Sequence, residues 1–214
     1  MKSNRDNGLF RANGVNYVVP FVLITTLFFL WGFARAILDV LNKHFQNTLD
    51  ISITESSLIQ VTTYMGYFLM AIPAGLFINR FGYRRGVVFG LLLFGIGALL
   101  FVPCTEAGTL YAFLFALFII GCGLTFLETA ANPYVTELGA KETASSRLNL
   151  SQSFNGLGCL FAHFAVGQWL FGGEGSVALP YVILGVVVLA IAVIFSKVRL
   201  PEIHHDDGWE EKAK

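Results

Sequence analysis

The sequence has little charge and few residues of the kinds that build metal or redox sites. Only 13% of its residues are charged, whereas an ordinary soluble domain carries about 25%. Its three cysteines, Cys104, Cys122 and Cys159, have no metal-ligand spacing, and no glycine-rich phosphate loop is present. No basic patch suggests nucleic-acid binding. These shortages argue against a soluble domain, a metal or nucleotide cofactor and a nucleic-acid partner. We expect no cofactor.

In place of charge, the chain has long apolar runs. Of its 214 residues, 55% are hydrophobic, and six runs are long enough to span a membrane. A bilayer core of about 30 Å takes about 20 helical residues. The six runs lie at roughly 17–43, 56–79, 86–104, 109–136, 148–171 and 178–196. They are continuous and lack period-two alternation, which argues against a membrane β-barrel.

The sequence therefore predicts an all-α membrane protein with six transmembrane helices in a lipid bilayer. Its parts are an N-terminal tail at 1–16, expected to be mobile, a helical bundle at 17–196 and a C-terminal tail at 197–214. We expect an N-cap at Thr54, with Glu55 or Ser57, to begin the second helix. Lys and Arg concentrate in both tails and in the loops after the second and fourth runs. Because basic residues favour the cytoplasmic side, both termini are predicted to be cytoplasmic.

The fourth run contains a carboxylate, Glu128, with no basic residue near it in sequence. A charge at the centre of a bilayer costs about 2.5–3.5 kcal/mol even on the mildest scale. On a helix, Glu128 shares a stripe with Gly121, Thr125 and Asn132. The functional interpretation is an acid that faces a water-filled cavity and handles a proton or a substrate. The alternative is a protonated side chain that hydrogen-bonds between helices.

The first run carries a second acid, Asp39, on a stripe with Trp31 and Arg35. Asp39 and Glu128 hold equivalent places if the six helices form two inverted three-helix repeats, an arrangement common in transporters. We hypothesise that the two acids pair across the bundle. The alternative is an ion pair between Asp39 and Arg35 one helical turn away.

Further polar side chains lie in the second and fifth runs at helical spacing. They are Gln60 and Tyr64 in the second run and Asn149, Gln152 and Asn155 in the fifth. Amides that donate and accept hydrogen bonds, together with aromatic rings, suit the hydroxyls and apolar faces of a sugar. The alternative is hydrogen bonding between helices, worth about 0.6 kcal/mol per contact.

Residues 75–85, GLFINRFGYRR, resemble the signature loop of the major facilitator superfamily between its second and third helices. The matching residues are Gly75, Arg80, Gly82, Arg84 and Arg85. Asn79 stands where the signature has an acid. The resemblance implies a loop that latches the cytoplasmic side through charge pairs, and Asn79 departs from that pattern.

Three longer strings narrow the resemblance. FFLWG at 28–32, LETAANPYV at 127–135 and SRLNLSQSFN at 146–155 are similar to the fucose–galactose–glucose:proton symporters. This resemblance implies that Asp39 and Glu128 couple proton and sugar, and that Trp31, Gln152 and Asn155 contribute to the cavity. A glutamate at position 128 resembles the fucose permeases. Arg35, Ala36 and Leu38 depart from the amides that the family often has there, so sugar specificity is expected to differ.

The resemblance implies half of a major facilitator fold, because the family has two six-helix halves. We expect the N-terminal half of a sugar:proton symporter in a bacterial inner membrane, acting by alternating access on a hexose or deoxyhexose. A second half or a self-dimer would complete it. The alternatives are a stand-alone six-helix sugar-binding sensor or scaffold, and a truncated fragment without function. An enzyme is not expected, because no nucleophile–base constellation is present.

Overall fold

The computed structural model describes residues 8–12, 15–48, 52–171 and 178–198. Two short strands, β1 (Arg11–Ala12) and β2 (Val15–Asn16), precede seven α-helices. The helices are α1 (Val18–Thr48), α2 (Ile53–Phe81), α3 (Tyr83–Leu99), α4 (Phe101–Ala107), α5 (Leu110–Glu137), α6 (Ala144–Phe171) and α7 (Ala178–Lys197). A 3₁₀ turn at Lys141–Thr143 leads into α6.

These helices correspond to the six predicted runs, because α3 and α4 together make the third. Five spans in the described residues are long and apolar enough to cross a membrane: Val18–Val40, Ile53–Phe81, Tyr83–Ala107, Leu110–Glu137 and Ala178–Lys197. The fifth run, α6, is 28 residues long but is not among them. It carries the amides of the predicted polar stripe, which lower its hydropathy. The all-α class is confirmed.

The start of α2 differs from the expectation. Its N-cap is Ser52, two residues before Thr54, with Glu55 as the reciprocal partner. The Ser52 hydroxyl accepts from the Glu55 amide at 3.1 Å, and the Ser52 amide donates to Glu55 Oε2 at 2.9 Å. This capping box satisfies two backbone donors that a helix start otherwise leaves free.

Packing between neighbouring helices is close. α1 packs mainly on α6, α2 on α5, and α3 on both α5 and α7. The α1–α6 contact depends on two glycines. A Cβ at Gly32 would lie 2.0 Å from Asn155 O, and a Cβ at Gly158 would lie 2.1 Å from Phe29 O. Small residues at such positions let backbones approach where no hydrophobic effect drives helices together.

The described part of the N-terminal tail is structured, although the sequence predicted a mobile tail. β1 and β2 pair antiparallel, and the Phe10 ring lies 4.7 Å from the Phe21 ring of α1. Leu9 O accepts a hydrogen bond from Arg147. Residues 1–7 and 199–214 lie outside the described residues, so most of the predicted C-terminal tail is not described.

Arg147 is a fully buried cation at the start of α6. Its guanidinium donates to Val135 O at 3.1 Å, Thr136 O at 2.6 Å and Ala140 O at 3.0 Å. Helix α5 ends at Glu137, and the last four carbonyls of a helix have no partner within it. Arg147 therefore caps α5 and fixes the turn into α6.

Candidate functional site

A cavity of about 230 Å³ lies between α1, α2 and α5. We call it the polar cavity. It is lined by Trp31, Arg35, Leu38, Thr63, Tyr64, Tyr67, Leu124 and Glu128. Two charged groups of opposite sign thus share one small space with three aromatic rings.

Glu128 is half-buried on α5 and lies nine positions before its last residue, Glu137. At 1.5 Å per residue it sits about 13 Å from that end of the helix, well inside the span. Gly121, on the predicted stripe, has its Cβ position 2.6 Å from Thr63 O, so it serves the contact of α5 with α2. Thr125 donates to Gly121 O within its own helix. Of this stripe, Glu128 alone is among the residues that line the polar cavity.

The α1 wall of the cavity is held against α2 by two hydrogen bonds. Trp31 Nε1 donates to Tyr67 Oη at 3.0 Å. Arg35 Nη2 donates to Tyr64 Oη at 3.3 Å. Residues 31 and 35 are one turn apart, and so are 64 and 67, so two helical stripes face each other.

Asp39 lies one turn beyond Arg35 and outside the lining of the polar cavity. Its Oδ1 accepts a hydrogen bond from Gln60 Nε2 at 2.9 Å. Among the described residues, the side-chain hydrogen bonds of Arg35 and Asp39 both go to α2. Asp39 and Gln60 therefore form a second polar pair next to the cavity, and Asp39 does not line it with Glu128.

The predicted residues of α6 lie outside the cavity lining. Gln152 Nε2 donates to Asn132 Oδ1 of α5 at 3.4 Å. Asn155 Nδ2 donates to Phe28 O, a backbone carbonyl of α1, at 3.1 Å. Asn149 is exposed. The geometry of Asn155 is that of the alternative interpretation, a hydrogen bond between helices.

The signature loop lies at the far end of α2, away from the cavity. Gly82 separates α2 from α3 with φ of +86°, a conformation that favours glycine. Arg84 donates to the carbonyls of Phe195 and Ser196 at the end of α7. Arg80 lies over the Phe81 ring at 5.4 Å, while Arg85 is exposed. Gly75 is on α2 with open space at its Cβ position.

The predicted site set omitted two residues that the structure places in the cavity wall, Arg35 and Tyr67. A signal for Tyr67 was present, because it follows Tyr64 at a spacing of three on one helical face. The sequence predicts Arg35 only as an alternative partner of Asp39, because its place in the cavity wall depends on the rotation of α1. Within the described ranges, no group of three His, Cys, Asp or Glu residues could hold a metal ion.

Comparison with known proteins decides the family. Residues 24–214 match the Major Facilitator Superfamily. The chain belongs to this superfamily. It is 38% identical to an L-fucose-proton symporter of Haemophilus influenzae, covering 92% of this chain and 53% of that protein. It is 37% identical to a glucose/galactose transporter of Brucella abortus, covering 90% of this chain and 49% of that one.

Solved structures agree with the fold. The E. coli fucose:proton symporter superposes with a TM-score of 0.74 at 34% identity, over 91% of this chain and 53% of that one. The inward-open E. coli xylose transporter gives a TM-score of 0.69 at 15% identity, which supports the fold alone. The chain spans about half the length of these relatives. The predicted half of a major facilitator fold, and a transporter family instead of an enzyme, are confirmed.

Proposed function

We propose that this six-helix bundle is the N-terminal half of a sugar:proton symporter that carries fucose or a related hexose by alternating access. One observation supports the proposal most. Glu128, an ionisable carboxyl well inside a membrane span, shares the polar cavity with Trp31, Tyr64 and Tyr67. An acid that can gain and lose a proton thus adjoins rings and hydroxyls that can bind a sugar.

Glu128 is the proposed proton carrier. A carboxylate accepts hydrogen bonds, whereas a protonated carboxyl also donates one, so protonation changes what a sugar hydroxyl meets in the cavity. Trp31 offers an apolar face to the sugar ring, and Tyr64 offers a hydroxyl. Sugar binding and proton binding are thereby linked at one place, which is what symport requires.

The surrounding polar residues have supporting roles in this proposal. Asp39 and Gln60 connect α1 to α2 beside the cavity, so their pairing is proposed to couple the proton step to helix movement. Asn149, Gln152 and Asn155 are proposed to reach the sugar when α6 moves. The loop residues Gly75, Arg80, Gly82, Arg84 and Arg85 are proposed to latch the cytoplasmic side.

A second six-helix half, supplied in the same polypeptide or by a self-dimer, is part of the proposal, because the relatives are about twice as long as this chain. We place the assembly in a bacterial inner membrane with both ends of this half in the cytoplasm. The positive charge of Lys and Arg in the tails and alternate loops supports that orientation. Mass measurement of the purified complex distinguishes a two-half assembly from a self-dimer or a monomer.

The test is sugar-driven proton uptake. The chain is expressed together with the second half of the related Haemophilus symporter in cells that lack fucose and galactose uptake. L-fucose, D-galactose or D-glucose is added to a lightly buffered suspension, and alkalinisation of the medium is recorded. We expect Glu128→Gln to abolish alkalinisation, because a side-chain amide does not bind and release a proton near neutral pH.

The matched control is Glu106→Gln, which removes an exposed carboxyl at the end of α4 and is expected to leave uptake unchanged. Sugar-driven alkalinisation that persists in Glu128→Gln would refute the role of Glu128. Absence of any sugar uptake by the unmodified pair, with both halves present in the membrane, would refute the proposed function.

A further inference from the structure

Arg35 places a cation in the wall of the polar cavity. Its guanidinium carries five N–H donors in a planar fork. Among the described residues, its hydrogen bond goes to Tyr64 Oη at a long 3.3 Å. Within the described ranges, most of its donors therefore meet no protein acceptor and are available to a ligand in the cavity.

The charges near Arg35 depend on the proton that the site is proposed to carry. The titratable and charged groups around it are Tyr64 and Tyr67 of α2, Glu128 of α5, Asp39 of α1 and Cys159 of α6. Asp39 is bonded to Gln60 and lies outside the lining. With Glu128 ionised, the lining carries one positive and one negative charge. With Glu128 protonated, Arg35 is the remaining charge in the lining.

A neutral sugar leaves that charge without a counter-ion inside a membrane protein, where an unpaired charge is costly. A carboxylate matches it, because guanidinium and carboxylate form two parallel hydrogen bonds, each about twice as strong as a neutral one. One carboxylate balances one guanidinium, so a monoanion fits the lining better than a phosphate with nearly two negative charges.

We propose that the polar cavity selects a sugar that bears a carboxylate, such as a hexuronate, and that Arg35 is the residue that holds the carboxylate. Trp31 lies one turn away on the same helix and packs on the sugar ring. Proton loading of Glu128 and binding of the anion then favour each other, since each removes the charge imbalance that the other creates. This inference rests on the proposed function and names the substrate class for the same site.

The test compares two sugars that differ at one carbon. D-galacturonate has a carboxylate at C6 where D-galactose has a hydroxymethyl group, and the two rings are otherwise the same. Uptake of each radiolabelled sugar is measured in the co-expression system described above. We expect a KM for galacturonate at least tenfold lower than the KM for galactose.

Arg35→Gln is expected to remove this tenfold preference by raising the KM for galacturonate. Arg35→Lys is expected to retain part of the preference, because lysine keeps the charge but lacks the planar pair of donors. Lys43→Gln, which removes an exposed cation two turns further along α1, is the matched control and should keep the preference. Amounts of each variant in the membrane are checked by immunoblot, so that misfolding is not read as lost affinity.

The outcomes separate this inference from the proposed function. Uptake of galactose with no preference for galacturonate overturns the inference and leaves sugar transport intact. A preference that survives Arg35→Gln also overturns it, because another group must then hold the carboxylate. Uptake of neither sugar, with both halves present, overturns the proposed function and the inference with it.

Discussion

The contact between α1 and α6 makes a sharp prediction about two glycines on one helix. In Gly158→Ala the new Cβ would lie 2.1 Å from Phe29 O, a backbone atom of α1 that cannot rotate away. Gly156 lies on the same helix and has nothing within 4 Å of its Cβ position. We therefore expect Gly158→Ala to destabilise the bundle and Gly156→Ala to leave it unchanged or more stable.

The expected loss of stability in Gly158→Ala can be estimated from the contacts that the new Cβ would disrupt. Ordinary contacts between heavy atoms begin at about 3.5 Å, so α1 and α6 must separate by about 1.4 Å at this point. Overpacking of this kind costs about 1–3 kcal/mol. Two hydrogen bonds that join the helices would stretch beyond 3.5 Å: Asn155 Nδ2 to Phe28 O, now 3.1 Å, and Cys159 Sγ to Gly32 O, now 3.2 Å. At about 0.6 kcal/mol each, they bring the expected loss to about 2–4 kcal/mol.

Gly156→Ala has the opposite expectation, because alanine is favoured over glycine in a helix interior by up to about 1 kcal/mol. The free energy of unfolding is measured from loss of helical circular dichroism in mixed micelles with increasing denaturing detergent. Equal stability of the two variants would refute the inferred close contact. A greater loss in Gly156→Ala would refute the rotation of α6 that places Gly158 against α1.

Two further predictions use the same assay. Arg147→Leu should lower the free energy of unfolding by about 2–6 kcal/mol, because the buried carbonyls of Val135 and Thr136 each lose a donor, at about 1–3 kcal/mol per carbonyl. Unchanged stability would contradict the capping of α5. Ser52→Ala should lower the free energy of unfolding by about 1 kcal/mol and Thr54→Ala by much less, because Ser52 caps α2. A larger loss in Thr54→Ala than in Ser52→Ala would show that Thr54 is the cap.

The gross fold could be predicted because it depends on summed hydropathy. Six runs in the sequence correspond to the helices of the bundle, and their bounds differ from the structure by a few residues. Local details could not be predicted so well. The break at Leu100 falls within an apolar run and leaves no mark in the hydropathy. The pattern at Thr54 predicts the cap of α2 two residues too late, although Ser52 with Glu55 three residues later has the spacing of a capping box.

For the site, the sequence alone could identify one residue, Glu128. Glu128 is conspicuous because a carboxylate in an apolar run needs an explanation. Which groups face it depends on the rotation and register of three helices. The inverted-repeat argument predicts that Asp39 accompanies Glu128, whereas the cavity lining contains Arg35, and Asp39 pairs with Gln60. Similarly, the sequence does not predict that the amide of Asn155 donates to the backbone carbonyl of Phe28.

The α1–α6 contact and the polar cavity are connected through α1. Gly32 is pressed against Asn155 of α6, and its neighbour in sequence, Trp31, lines the cavity with Arg35. A rotation of α1 that relieved a clash at Gly158 would therefore also turn Trp31 and Arg35 away from Tyr67 and Tyr64. Close packing on one side of α1 thus positions the cavity-lining side chains on the other side. If the cavity binds sugar as proposed, a change at Gly158 should then alter sugar affinity as well as stability, even though Gly158 is not among the residues that line the cavity.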